Sequence, residues 1–192
     1  MKNLILLFIS LSALSCSHYV INSEGYTRPP ERYKFSYKNK KLNEDVYKKI
    51  DTTAIYYLEE QNLYKHDSEY KRHGVYIRFY SNGRFKLQGV KKFPAIEEVN
   101  NINKGIVGYF YLKENVIKLQ IYGDIDGGSD QLEFGIIEEN GDLNILDENP
   151  RTTYCIGYSE KSIRRKIEKS AFTPVIYRKI HLENLVYDEP NW

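Results

Sequence analysis

The sequence has few of the residues that build covalent or metal-bound scaffolds. It contains 2 cysteines, 1 methionine and 1 tryptophan in 192 residues. Two cysteines form at most one disulfide, which excludes a disulfide-rich fold. The 4 histidines form no His-Glu-x-x-His motif and the cysteines form no Cys-x-x-Cys motif, so the usual patterns of a zinc site are missing. We therefore expect no metal and no cofactor.

An excess of one charge is also lacking. The 28 lysines and arginines nearly balance the 26 acidic residues, giving a formal net charge of +2. Nucleic-acid-binding proteins concentrate basic residues on one face, so we expect no nucleic-acid partner.

The sequence has no Gly-x-Ser-x-Gly motif, and Cys155 with a distant histidine is not a specific pattern. We expect that the protein is not an enzyme.

The longest apolar stretch of the sequence lies in its first sixteen residues. Lys2 precedes an apolar run that ends in Ala13-Leu14-Ser15-Cys16. A positive start, a short apolar run and small residues before a cut site are typical of a signal peptide. The run is too short for a membrane-spanning helix, which needs about 20 residues. Because the last four residues resemble a lipobox, residues 1–15 are predicted to be a signal peptide and Cys16 a lipidated (palmitate-bearing) cysteine; an ordinary secretory peptide is the alternative.

The predicted lipid anchor sets the expected location and domain organisation. Two or three acyl chains on Cys16 would hold the protein on a membrane, since each buried CH₂ contributes about 0.8 kcal/mol. We expect a lipid-anchored protein of the cell envelope, by default on the periplasmic face of the outer membrane. Residues 16–33, which include Pro29-Pro30, are interpreted as the lipidated N-terminus and a flexible tether. Residues 34–192 then form a single antiparallel β-domain.

The β-prediction rests on alternating apolar residues and on Asn-Gly turns. The chain has 18 tyrosines and 8 phenylalanines, which favour strands. Residues 74–80 alternate, Ser81-Asn82-Gly83 predicts a turn, and residues 84–88 alternate again. Asn-Gly is expected to supply two positive-φ positions in a tight hairpin turn. These features predict a β-hairpin.

The same pattern recurs along the chain. Further hairpins are predicted over 105–122 and 132–146, and further strands at 53–58, 154–158 and 174–180. Short helices are predicted at 94–103 and at 159–170, the second with Ser159 as its N-cap. The fold predicted is mainly β: an antiparallel meander of eight or nine strands that forms a lipocalin-like barrel, with two short helices. A sandwich of two sheets is the alternative.

Two segments carry a resemblance to a known group of proteins. Residues 74–85 form a Tyr/Phe-rich strand that runs into Ser-Asn-Gly, and residues 104–110 contain Gly-x-x-Gly-Tyr. The chain thereby resembles bacterial lipoproteins with lipocalin-like β-barrel domains, over about residues 50–147. The resemblance implies at most a small-molecule pocket inside the barrel. It assigns no ligand residues, and the Gly-x-Trp of lipocalins is absent because Trp192 is the only tryptophan.

The aromatic strand residues are the candidate lining of such a pocket, namely Tyr76, Phe79, Phe85, Tyr109 and Phe134. Tyr76 and Phe79 lie on opposite faces of one strand, so at most one of them faces inward. Two hypotheses follow for the envelope lipoprotein. In the first, the barrel binds a small apolar ligand or lipid. In the second, the core is packed solid and an outer face binds an envelope protein.

Three polar segments were weighed for binding. Residues 124–130 are acidic and glycine-rich, but the spacing of a helix-loop-helix calcium loop fails, which favours a solvated loop. The polar run 64–73, with two histidines, is interpreted as a surface loop. The basic residues of 159–170 could face anionic headgroups, although a solvated helix face is the preferred interpretation.

Overall fold

A computed structural model of the protein describes residues 19–36, 38, 48–123, 128–146 and 159–192. Cys16 and the rest of the predicted signal peptide lie outside these residues. So do the predicted strand at 154–158 and most of the acidic segment 124–130. None of the described helices is both long enough and apolar enough to cross a bilayer.

The described elements are twelve strands and two helices. The strands are β1 (Val20–Ile21), β2 (Thr27–Arg28), β3 (Ala54–Leu58), β4 (Gln61–Tyr64), β5 (Asp67–Arg72), β6 (Gly74–Phe79), β7 (Arg84–Val90), β8 (Ile106–Lys113), β9 (Val116–Gly123), β10 (Ser129–Ile137), β11 (Leu143–Leu146) and β12 (Val175–His181). The helices are α1 (Ile96–Asn100) and α2 (Glu160–Lys169).

Eight of these strands close into an antiparallel barrel. The order around the barrel is β3, β6, β7, β8, β9, β10, β11 and β12, and β12 pairs with β3. Ile180 of β12 lies opposite Ile55 of β3 at this closing seam. The predicted mainly β fold, a meander closed into a lipocalin-like barrel with two helices, is confirmed. The described strands do not form the alternative sandwich.

Two hairpin turns of the barrel share one geometry. In Tyr80–Arg84 the Tyr80 amide donates to the Arg84 carbonyl at 2.9 Å, and the Gly83 amide donates to the Tyr80 carbonyl at 3.2 Å. Glu138–Asp142 repeats both bonds. In each turn only the glycine has a positive φ, 81° at Gly83 and 87° at Gly141. The expectation of two positive-φ residues was therefore wrong: the extra loop residue allows a type I turn followed by a single left-handed glycine.

The inner face of the barrel forms the main hydrophobic core. Inward residues alternate along every strand, as the period of two requires. The core includes Tyr56, Phe79, Phe85, Phe110, Leu119 and Tyr177, all buried. Leu58, Ile77, Ile117, Leu143 and Ile145 fill the remaining inner positions near them. Burial of these apolar side chains is the main stabilising contribution to the fold.

Three smaller clusters lie on the outside of the barrel. Helix α2 covers Val116, Phe134 and Ile136 with Ile163. Helix α1 contributes Val99, which packs with Ile55 and Tyr76. Phe35 packs against Tyr109 and Tyr122. The barrel is thus covered on several sides by segments that lie outside its strands.

Part of the segment interpreted as a flexible tether lies on the barrel. Strands β1 and β2 form a small hairpin. Arg28 donates to the Gly105 carbonyl at 2.8 Å, and the Tyr33 hydroxyl donates to Asp130. Burial of the Tyr33 hydroxyl raises its pKa, and the Asp130 hydrogen bond adds to the effect. Residues 19–35 therefore contact the barrel through packed side chains and through hydrogen bonds.

The polar run at 64–73 is ordered into a second small sheet. We interpreted it as a surface loop, whereas β4 pairs with β5 in an antiparallel hairpin. The side chains of β5 are mostly exposed, so the run has no apolar alternation by which a strand is recognised. The prediction of a loop was therefore wrong, and the prediction that the run lies at the surface was correct.

Both helices are placed close to where the sequence predicts them. Helix α1 covers only five residues of the predicted 94–103. Helix α2 starts after Ser159, whose hydroxyl accepts from the Ser162 amide at 3.3 Å. This N-cap satisfies one of the amides that the first helical turn leaves unpaired.

Candidate functional site

The five predicted pocket residues do not line one space. Phe79 and Phe85 face the interior of the barrel. Tyr76, Tyr109 and Phe134 face outward, each in a different outer cluster. All five are buried. The interior and the outer face must therefore be considered separately as binding sites.

Aromatic rings fill the middle of the barrel. The centroid of the Phe79 ring lies 5.2 Å from that of Tyr56, 5.9 Å from that of Phe85 and 4.9 Å from that of Phe110. These are the spacings of rings in direct contact. The Tyr56 hydroxyl accepts from the Asp51 amide at 2.9 Å, and burial raises its pKa to about 12. This hydroxyl therefore already has a hydrogen-bond partner within the protein.

Two glycines facing the interior are covered by larger neighbours. A Cβ placed on Gly108 would lie 2.6 Å from the ring of Phe85. One placed on Gly135 would clash with the side chain of Ile145. Each glycine lies directly opposite that neighbour on the adjacent strand. The space that these glycines leave is therefore taken up by packing.

The outer face of β6 and β7 carries an unusual group of buried polar side chains. We call it the outer polar cluster; it consists of Tyr76, Arg78, Tyr80, Lys86 and Gln88. All five are at least 96% buried, with Gln88 the most exposed at 4%. Charged residues are almost never fully buried unless they are paired. The cluster is therefore the strongest candidate for a functional surface.

Two cations of this cluster lie side by side. Arg78 and Lys86 are directly opposite each other across the β6–β7 pair. Like charges in such a position destabilise a sheet. Their hydrogen bonds go to carbonyls near the end of α1: Arg78 donates to the Val99 carbonyl at 3.1 Å, and Lys86 donates to the carbonyls of Glu98 at 3.1 Å and Asn101 at 2.7 Å. The end of a helix leaves such carbonyls free to accept.

The remaining polar contacts extend from Tyr76. Its hydroxyl donates to Gln88 Oε1 at 2.8 Å, and Gln88 Nε2 donates to Glu98 Oε1. Burial raises the pKa of the Tyr76 hydroxyl, and the charge of Glu98 raises it further. Helix α1 is thereby fixed on the barrel by both apolar and polar contacts.

Burial lowers the pKa of both cations. Desolvation lowers the pKa of Lys86 to about 7, and the charge of Arg78 lowers it further. Desolvation also lowers the pKa of Arg78, while Tyr80 and Tyr76 oppose this effect. At neutral pH a substantial fraction of Lys86 is therefore unprotonated. The local charge of the cluster changes near physiological pH.

The C-terminal segment, residues 182–192, covers the cluster from outside. Arg78 donates to the Val186 carbonyl. Asn82 Nδ2 and Arg84 Nη1 both donate to the Pro190 carbonyl, the first at 3.0 Å. The Tyr109 hydroxyl donates to the Trp192 carbonyl at 3.2 Å. Side chains on the barrel thus hold this segment by its backbone carbonyls.

A polar cleft at one end of the barrel is a second candidate. It has a volume of about 330 Å³ and is lined by residues that include Lys49, Asn115, Glu138 and Lys179. Arg164 of α2 contacts both Glu138 and Glu160 at 2.9 Å. These two carboxylates raise the pKa of the Arg164 guanidinium. Arg164 is therefore engaged by carboxylates of the protein itself.

The described part of the chain contains no group of three or more His, Cys, Asp or Glu side chains that could hold a metal ion. The acidic segment 124–130 lies mostly outside that part. No protein-family model, curated protein or solved structure matches the chain. Interpretation of the site therefore rests on its geometry.

Sequence reasoning missed the outer polar cluster for a physical reason. Alternation assigns Tyr76, Arg78 and Tyr80 to the face opposite the core, which is normally solvated. Their burial depends on α1 and on residues 182–192, both distant in sequence. One local signal was present: two tyrosines flank Arg78 on the predicted outer face, where small polar or charged residues are usual.

Proposed function

We propose that the protein is a lipid-anchored lipoprotein of the cell envelope whose barrel has a packed core and acts through its outer surface on an envelope protein. This is the second of the two hypotheses raised by the sequence. The observation that carries it is the filled interior, where Tyr56, Phe79, Phe85 and Phe110 are in ring contact. An interior that binds a ligand needs open volume with a few convergent polar groups.

The anchor part of the proposal is supported by the first sixteen residues. Lys2, the apolar run and Ala13-Leu14-Ser15-Cys16 have the order of a lipoprotein signal. Acylation of Cys16 would place the folded domain next to a membrane surface. The periplasmic face of the outer membrane is the proposed location.

The anchor is tested by metabolic labelling of the full chain in a bacterial host. We expect the wild type to incorporate labelled palmitate and to sediment with membranes. Cys16→Ser should lose both properties, because the thiol is the acceptor of the lipid. Cys155→Ser is the matched control and should behave like the wild type. Labelling that survives Cys16→Ser would contradict the proposal.

The packed core is tested by native mass spectrometry of the full chain, extracted from membranes in mild detergent. We expect the mass of the acylated protein alone. A further mass that co-purifies and is released on unfolding would overturn the packed core and favour the binding-module hypothesis. To locate such a ligand, Phe110→Trp adds volume inside the barrel and should displace an interior ligand but not a surface ligand.

A further inference from the structure

Three neighbouring side chains at the edge of the outer polar cluster each carry a buried hydrogen-bond donor without an acceptor. The donors are Arg78 Nε, the Tyr80 hydroxyl and Trp192 Nε1, and none has a partner among the described residues. The Arg78 guanidinium carbon lies 5.0 Å from the centroid of the Tyr80 ring, and the Trp192 ring lies 6.0 Å from the same ring. Each buried donor left unpaired costs about 1–3 kcal/mol. Three unpaired donors on side chains in contact with one another therefore call for an acceptor that the described residues do not supply.

The cations of the same region form no direct ion pair with a carboxylate among the described residues. The hydrogen bonds of Arg78 and Lys86 go to carbonyl and amide oxygens, not to carboxylates. Arg28 adds a third cation; its guanidinium carbon lies 5.7 Å from the Trp192 ring centroid, and it too donates to carbonyls. Buried charges in proteins are normally paired.

Two carboxylates, Glu98 and Asp188, lie nearby. Burial lowers the pKa of Lys86, and the charge of Glu98 opposes this effect. The charge of Asp188 raises the pKa of both Arg78 and Tyr80, although burial has the larger effect on each. Asp188 is exposed and forms no ion pair with Arg78 in the described chain. It therefore leaves the three donors unpaired, and its negative charge would oppose an anion that approached them.

We propose that Arg78, Tyr80 and Trp192 form a binding site for an oxyanion, a carboxylate or a phosphate group, on the outside of the barrel under the C-terminal segment. An oxyanion offers several lone pairs on adjacent oxygens and can therefore accept from more than one donor. Hydrogen bonds from guanidinium and hydroxyl groups to an anion are about twice as strong as neutral ones. The positive charge of Arg28, and that of Lys86 when it is protonated, add attraction over a longer range.

Access to the site is controlled by residues 186–192. Val186 and Tyr187 are 58% and 52% exposed, so this part of the segment is attached to the barrel mainly by hydrogen bonds. The Arg78–Val186 bond is among these contacts. An entering oxyanion would exchange that carbonyl for a charged acceptor and displace the segment locally. The site does not depend on how the barrel interior is used.

The site is tested through Trp192, whose fluorescence is the only tryptophan signal of the chain. Sodium phosphate and sodium acetate are titrated separately into the full-length protein, at an ionic strength held constant with sodium chloride. We expect a saturable change in the fluorescence of Trp192 that chloride alone does not produce. Saturation by phosphate but not by acetate identifies a phosphate site. Saturation by acetate but not by phosphate identifies a carboxylate site. The absence of a saturable change with both salts would overturn the proposal and leave bound water as the partner of the donors.

Two variants separate binding from folding. Tyr80→Phe removes the unpaired hydroxyl alone and should weaken anion binding about tenfold, the equivalent of one charge-assisted hydrogen bond. Asp188→Asn removes an exposed opposing charge and should tighten binding, which loss of structure could not do. Tyr70→Phe, at a tyrosine that is 54% exposed, is the control and should bind like the wild type. Wild-type affinity in Tyr80→Phe, or unchanged affinity in Asp188→Asn, would contradict the assignment.

Discussion

Lys86 combines complete burial with a position directly opposite a second cation. Its ammonium group has two carbonyl partners, Glu98 and Asn101, and its pKa is lowered to about 7 from an ordinary value of 10.5, chiefly by desolvation. Between these two values the unfolded chain binds more protons at this residue than the folded chain. The contribution of Lys86 to the free energy of unfolding must therefore rise with pH over this interval.

Lys86→Met should remove this dependence on pH. We expect the free energy of unfolding of the wild type to rise from pH 7 to about pH 9.5, with a contribution of at most about 1.4 kcal/mol per pH unit from Lys86. Above about pH 10 the buried tyrosines reverse the trend, because tyrosines ionise first in the unfolded chain. Urea unfolding at several pH values measures the slope.

The comparison uses the slope and not the absolute stability, since methionine leaves two carbonyls without their donor. The variant should show a flatter profile than the wild type over the same pH interval. Equal slopes for the two proteins would mean that Lys86 titrates in the folded state as it does in the unfolded chain.

Gly108 tests how tightly the interior is filled. Gly108→Ala would place a methyl group against the Gln120 backbone carbonyl and 2.6 Å from the Phe85 ring, and overpacking of this kind costs about 1–3 kcal/mol. Gly89→Ala is the matched control, since nothing lies within 4 Å of its added Cβ. Thermal unfolding of both variants measures the difference. If Gly108→Ala were as stable as Gly89→Ala, the barrel would have interior space that the packing does not show.

At the scale of elements, the strands with apolar alternation were predictable and the polar ones were not. The hairpins β6–β7, β8–β9 and β10–β11 follow from alternation and from local turn residues. The hairpin β4–β5 was missed because its exposed side chains give no period. Burial on the outer face could not be predicted either, because it depends on which segment of the folded chain covers which strand.

Helix α2 shows how an outer element stabilises the barrel. Its single fully buried residue is Ile163, which packs on Phe134 and Ile136. Ile163→Ala should lower the free energy of unfolding by about 2–5 kcal/mol, through lost burial and the cavity left behind. Arg165→Ala, at an exposed position of the same helix, should change it by less than about 0.5 kcal/mol.

Chemical denaturation of the two α2 variants measures this difference. Circular dichroism checks that each variant retains its secondary structure. A small effect of Ile163→Ala would mean that α2 is only loosely attached and that the cluster on β10 is stable without it.

At the scale of the whole molecule, closure of the barrel removes every edge from the main sheet. The seams between strands differ in length, however. Among the described residues, β11 and β12 are paired at three positions, from Leu143 opposite Tyr177 to Ile145 opposite Val175. β9 and β10 are paired at eight. The closing seam β3–β12 could not be predicted from local sequence, because its partners are more than one hundred residues apart.

Local opening of the barrel should therefore begin at the β11–β12 seam. We expect native-state hydrogen exchange to show lower amide protection in β11 and β12 than in β9 and β10, since fewer cross-strand bonds must break. Two-dimensional NMR of the deuterium-exchanged protein gives this comparison. Equal protection at both seams would indicate that the barrel opens only as a unit.

The β3–β12 pairing also makes the strand order cyclic. Each strand of the barrel follows its neighbour around the ring, and the last lies beside the first. The ring has eight junctions between neighbouring strands. The chain connects the strands at seven of them and leaves the junction between β12 and β3 unconnected. A circular permutant that joins the two ends and begins at the Lys113–Val116 turn would keep every strand pair while changing the order in which the pairs can form.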